Sequence, residues 1–115
     1  MKYIKLYEED IFEKELQIGD YVVCKDEWYS SEGMMNFISD NIGQYVQMNY
    51  HYSDDYIYMI RYSKIPLYLQ EYFKDYTNHQ GTKRCCRAMR KSEIIFFSSN
   101  KKDCEAFITA NKYNL

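Results

Sequence analysis

The side chains that could do chemistry are four cysteines (Cys24, Cys85, Cys86, Cys104), two histidines (His51, His79) and adjacent acidic pairs such as Glu8-Glu9 and Asp54-Asp55. A structural zinc site draws its ligands from closely spaced pairs, and the chain holds no C-x-x-C and no H-x-x-x-H. Adjacent Cys85 and Cys86 would point to opposite faces of a strand. Free buried thiols in a reducing compartment are therefore the first reading. Zinc held by Cys24, one of the pair, Cys104 and His51 or His79 is the alternative. The acidic pairs are neighbours in sequence, so their carboxylates diverge rather than meet on one substrate atom. No Gly-rich phosphate loop and no Ser or Cys nucleophile motif is present. These observations predict a protein with no catalytic residues, no metal and no cofactor.

Two other residue groups could bind rather than react. Lys83, Arg84, Arg87, Arg90 and Lys91 concentrate positive charge on one segment, and nearby Tyr76 and Phe97 could stack on bases. Strand alternation sends Arg84 and Arg90 to one face and Lys83, Arg87 and Lys91 to the other, which argues against one continuous patch. The plain reading is an edge strand kept from aggregating by its charge. The second group is aromatic: Trp28 and Tyr29 in one loop, with Tyr50, Tyr52 and Tyr56 around a hairpin tip. Fourteen tyrosines in 115 residues is heavy usage. A/T-rich codons explain much of it, yet surface tyrosine supplies stiff contact area with a polar tip, as interfaces do.

The charge is uneven along the chain. Residues 1–60 carry four basic and twelve acidic side chains, a net −8, whereas residues 61–115 carry eleven basic and five acidic, a net +6. Such halves suggest internal docking, a homodimer, or patches of opposite sign facing different partners. A pI near 5.7 weighs against a dedicated nucleic-acid binder. The acidic half could instead occupy a basic nucleic-acid channel.

The elements that must position these groups are short. At 115 residues, residues 1–115 form one domain with one core. Hydrophobic content of 46% with a mean hydropathy of −0.65 fits a folded, water-soluble chain. No apolar run nears the ~20 residues that span a bilayer, and the first residues lack the apolar centre of a signal peptide. A cytoplasmic protein with no membrane partner is expected. Residues 1–17 read as an extended start followed by a short acidic turn or helix.

The sheet is expected over 18–97. Its first strand, Asp20 to Lys25, follows the Ile18-Gly19-Asp20 turn; Tyr21 and Val23 alternate with Val22 and Cys24, so both faces need cover. Ser31 caps a short helix from Glu32 to Ser39 that buries Met34, Phe37 and Ile38 and ends at Asn41. Strands follow from Ile42 to Tyr50 and from Tyr56 to Tyr62, with the hairpin tip and His51 between them. Pro66 opens a helix whose Leu69, Tyr72, Phe73 and Tyr76 keep helical spacing toward the core. Asn78 to Gly81 is a loop, Thr82 to Met89 a strand, and Glu93 to Phe97 a fifth strand or a continuation. A helix over 100–112, capped by Ser99 or Asn100, buries Cys104, Phe107 and Ile108. The fold class that results is mainly β with helices, an SH3-like barrel or strongly bent antiparallel sheet with a C-terminal helix. Gly19 and Gly43 suit its bends. The runner-up is an open α+β sheet with helices on one face.

Met1 to Glu8, Ile18 to Val22, Asn41-Ile42-Gly43, Tyr62 through Ile65-Pro66, and Asn100 to Leu115 together resemble the short, uncharacterised proteins of tailed phages and related mobile elements. The resemblance spans most of the chain and carries no catalytic motif. It implies an intracellular product of an A/T-rich genome that works in host interaction, nucleic-acid handling or countering a defence system. On that basis the expected function is a non-catalytic interaction protein, an inhibitor of a host protein or nucleoprotein complex, with nucleic-acid binding through 83–91 as the alternative.

Overall fold

The computed structural model describes residues 15–27, 31–48 and 58–113. They form six antiparallel strands: β1 (Tyr21–Cys24), β2 (Gly43–Met48), β3 (Tyr58–Arg61), β4 (Lys74–Asn78), β5 (Gly81–Met89) and β6 (Ile94–Ser98). Two helices accompany them, α1 (Glu32–Asp40) and α2 (Lys101–Tyr113). The strand order is β4-β5-β3-β2-β1-β6, so β4 and β6 stand at opposite ends. The sheet is open: no pair among the described residues joins its two ends into the SH3-like barrel expected from the sequence.

Both faces of β1 are covered, as its alternation requires. Val22 and Cys24 lie in one core with Met34, Phe37 and Ile38 of α1, Tyr45, Ile60, Tyr62, Leu69 and Met89. Val23 lies in a second core with Phe96, Cys104 and Phe107, against which Tyr21 and Ile108 pack. Phe96 and Phe107 stack at 4.5 Å between centroids. The helices therefore sit on opposite faces of β1 and β6, not on one face as the runner-up reading had it.

Local chemistry sets the helix ends. Ser31 Oγ accepts from the Met34 N–H at 3.3 Å, and Asn41 Nδ2 donates to the Phe37 carbonyl at 2.8 Å. At the start of α2, Asn100 Oδ1 accepts from the Lys102 N–H at 3.0 Å, and Asp103 lies in the first turn, where the helix dipole favours an anion. Gly43 has a different role from the bend expected for it. A Cβ there would run into Ile60 and the Tyr62 ring, so glycine permits close packing between β2 and the core.

The stretch after Pro66 departs most from expectation. It begins as a 3-10 turn (Leu67–Tyr72) that buries Leu69, leaves Tyr72 exposed and stops at Phe73. β4 then replaces the expected continuation of the helix. The aromatic spacing imitates a helix, but Lys74 to Asn78 finds its backbone partners on β5, where Asn78 pairs with Gly81 around the turn at His79–Gln80. Gly81 at φ 124° and the bond from Gln80 N–H to Asn78 Oδ1 (2.8 Å) close that hairpin.

Candidate functional site

A cleft of about 610 Å3 opens between the β4–β5 hairpin and the chain leaving β3. It is lined by Arg61, Lys64, Tyr76, Lys83 and Arg84, and by the amides of Gln70, Asn78 and Gln80. Among the described residues no carboxylate lines it. Topology creates this site. β5 lies beside β3 instead of beside β6, its nearest strand in the later sequence, and Arg61 faces Cys86 across the pair. The Tyr62 N–H extends the pairing by donating to the Cys85 carbonyl at 2.8 Å. Lys64 then takes φ 55°, the left-handed region, at a cost of roughly 1 kcal/mol for a residue with a Cβ.

Lys83 and Arg84 line the same cleft, although alternation alone sends them to opposite faces. The register shift between Lys74 and Asp75 leaves Cys85 as an extra residue on β5, a bulge next to Arg84 that increases the local twist. Among the four cations, Arg61 donates to Gln44 Oε1 at 2.7 Å, and its guanidinium lies 5.8 Å from the Tyr76 ring centroid. Arg84 meets Asp75 at 3.6 Å in an exposed pair, which contributes little in water. Lys64 and Lys83 are exposed, and no ion pair engages either among the described residues.

The inner half of the same basic segment is built for another purpose. Arg87 reaches Asp26 at 3.2 Å, with the Asp26 side chain fully buried and that of Arg87 only 15% exposed. Glu93, also fully buried, accepts from the Glu27 N–H and the Arg90 N–H, both at 2.9 Å. Its carbonyl takes the Lys25 N–H at 2.8 Å, and Ser92 donates to Glu27. This network ties 25–27 to the turn between β5 and β6. Arg87 and Arg90 are thus parts of a buried polar network, while Lys91 is exposed just beyond β5. Phe97 packs against the larger core and not beside Tyr76, so it is no base-stacking residue of this cleft.

Arg61, Lys64 and Glu93 were not visible as site residues in the sequence. The first two lie about twenty positions before Lys83, and only the β3–β5 pairing brings them together. For Glu93 the sole hint is the Arg90-x-x-Glu93 spacing, which matches the observed return of its carboxylate to the Arg90 N–H. The aromatic set Trp28, Tyr29, Tyr50, Tyr52 and Tyr56 lies outside the described residues, as do His51, Asp54-Asp55 and Glu8-Glu9.

The thiols are free. Burial pushes Cys24, Cys86 and Cys104 up to about 12, so none is a nucleophile near neutral pH. The Tyr62 phenol, buried beside Cys24, is also raised well above its ordinary value. Cys24 and Cys104 belong to separate cores, and among the described residues no three Cys, His, Asp or Glu side chains converge as metal ligands. His79 is exposed at the hairpin turn. No described helix is long and apolar enough to cross a membrane. Comparison with protein-family models, curated proteins and solved structures gave no match for the chain.

Proposed function

We propose that this chain is a non-catalytic binding protein whose basic cleft takes a nucleic acid. One observation carries the reading: Arg61, Lys64, Lys83 and Arg84 line a concave surface that no carboxylate lines among the described residues. Cations gathered in a cleft concentrate their field, and the phosphate backbone is the polyanion that such a field attracts. The net charge of −2 does not oppose this, because the acidic excess belongs to the first sixty residues. The basic segment works in two parts in this account. Lys83 and Arg84 contact the ligand, while Arg87 and Arg90 hold the scaffold. The test is titration of labelled DNA and RNA at about 50 and about 200 mM salt. Binding should weaken steeply with salt and be lost in a Lys83→Ala/Arg84→Ala variant that keeps its fold; binding indifferent to both would overturn the proposal.

A second reading takes a host or defence-system protein as the partner, in the phage-like cytoplasmic setting that the resemblance implies. The observation in its favour is an apolar surface. Leu67 is 84% exposed, Tyr68 and Tyr72 stand out from the same 3-10 turn, and Tyr68 lies against Gly33 of α1 near exposed Met35. Trp28, Tyr29, Tyr50, Tyr52 and Tyr56 belong to this reading as further anchors. A tagged pull-down from the natural host tests it. Capture of one protein, lost in Leu67→Ser or Tyr52→Ala with folding intact, supports it. Capture that survives both substitutions removes these anchors.

A further inference from the structure

We infer that the cleft is a site for single-stranded nucleic acid and discriminates against duplex. This deepens the nucleic-acid reading and rests on it. Three features of the cleft support the choice. First, a protein that reads duplex pushes a protruding helix or ribbon into a groove, whereas the four cations here surround a hollow of about 610 Å3. That size suits a flexible segment entering the protein. Second, the hollow has an aromatic wall. Tyr76 is half-buried on β4, and Arg61 lies over its ring at 5.8 Å, so phenol and guanidinium form a pair of flat surfaces on which an unpaired base can stack. Bases in a duplex are already stacked and do not reach such a shelf.

Third, amides flank that shelf. Asn78 uses its oxygen for the hairpin turn and Gln70 uses its amide nitrogen on the Ile65 carbonyl. The Asn78 nitrogen, the Gln70 oxygen and the Gln80 side chain point to donors and acceptors suited to the base edges that only a single strand exposes. Lys64 and Lys83, which line the same cleft, then meet the phosphates. The combination of basic groove, aromatic platform and side-chain amides is what single-strand binding requires.

The experiment is fluorescence anisotropy with one short mixed-sequence oligonucleotide as single-stranded RNA, single-stranded DNA and duplex, at about 50 mM salt. It uses the full chain and its Tyr76→Ala and Tyr76→Phe variants, each checked for an unchanged unfolding midpoint. Single strands should bind roughly tenfold or more tighter than duplex. Tyr76→Ala should lose roughly tenfold on single strands while leaving duplex binding unchanged, and Tyr76→Phe should restore the wild-type affinity. If Tyr76→Ala unfolds the chain, Tyr76→Phe and the duplex comparison still decide. Duplex binding as tight as single-strand binding, with both lost in Lys83→Ala/Arg84→Ala, sinks the single-strand inference and leaves the nucleic-acid reading standing. No binding of any form, or equal competition by an acidic peptide of matched charge, sinks both.

Discussion

Lys83 and Arg84 lie on the same strand as Arg87, yet the two ends of that strand have opposite fates. The outer pair is exposed beside a cleft without acidic lining among the described residues, and the ion pair of Arg84 with Asp75 is open to water. Arg87 pairs through its guanidinium with buried Asp26, and just past the strand the backbone N–H of Arg90 donates to buried Glu93. The same residue types serve recognition at one end and architecture at the other. What separates them is how much water remains around the charge, because a desolvated cation needs a fixed partner and an exposed one is available to a ligand.

The largest effect that would sharpen this contrast is expected at Glu93. Removing its carboxylate in Glu93→Ala leaves the Glu27 and Arg90 N–H groups without their acceptor and should cost about 3 kcal/mol or more in urea unfolding. A loss under about 1 kcal/mol would mean that water replaces the carboxylate easily. Arg87→Ala, which strips the buried Asp26 carboxylate of its guanidinium, should cost about 3 kcal/mol. Stability unchanged in that variant would break the division between the two ends.

Next in size is a pH effect read on Cys86, between cleft-lining Cys85 and Arg87, and on Cys24 and Cys104. Their folded-state values of about 12 lie above the ordinary 9.0, so the unfolded chain releases these protons first. Stability should be fully present below pH 9.0 and fall progressively toward about 12 as the unfolded thiols ionise. A flat urea midpoint across that window would contradict the burial of the three thiols. A thiol reagent at neutral pH should modify half-buried Cys85 first, and equal labelling of all four cysteines would blur the contrast.

Much of the scaffold was legible before the structure. Alternation at Tyr21 to Cys24 correctly required cover on both faces, because side chains on a strand have only two directions to go. Ser31, Asn41 and Asn100 marked helix ends, since their short polar side chains satisfy backbone groups that a helix leaves open. β4 was misread because Leu69, Phe73 and Tyr76 happen to repeat at helical intervals, while the stronger constraint was the hairpin turn between Asn78 and Gly81. The cleft was hidden for a different reason. The cleft is assembled by the neighbour relation of β3 and β5, and neither that relation nor the bulge at Cys85 of β5 is written locally in the chain. The open sheet was ranked below the barrel because edge strands and paired strands carry similar short apolar runs.

The most direct test sets the two ends of the segment side by side. Lys83→Ala/Arg84→Ala and Arg87→Ala are compared for urea stability and for single-strand binding over a series of salt concentrations. The outer variant should keep its stability within about 0.5 kcal/mol while the slope of log affinity against log salt falls by about one per cation removed. Arg87→Ala should lose stability and, under conditions where it remains folded, keep the wild-type slope. Equal slopes in the outer variant and the wild type would contradict the assignment of the cleft as the nucleic-acid site.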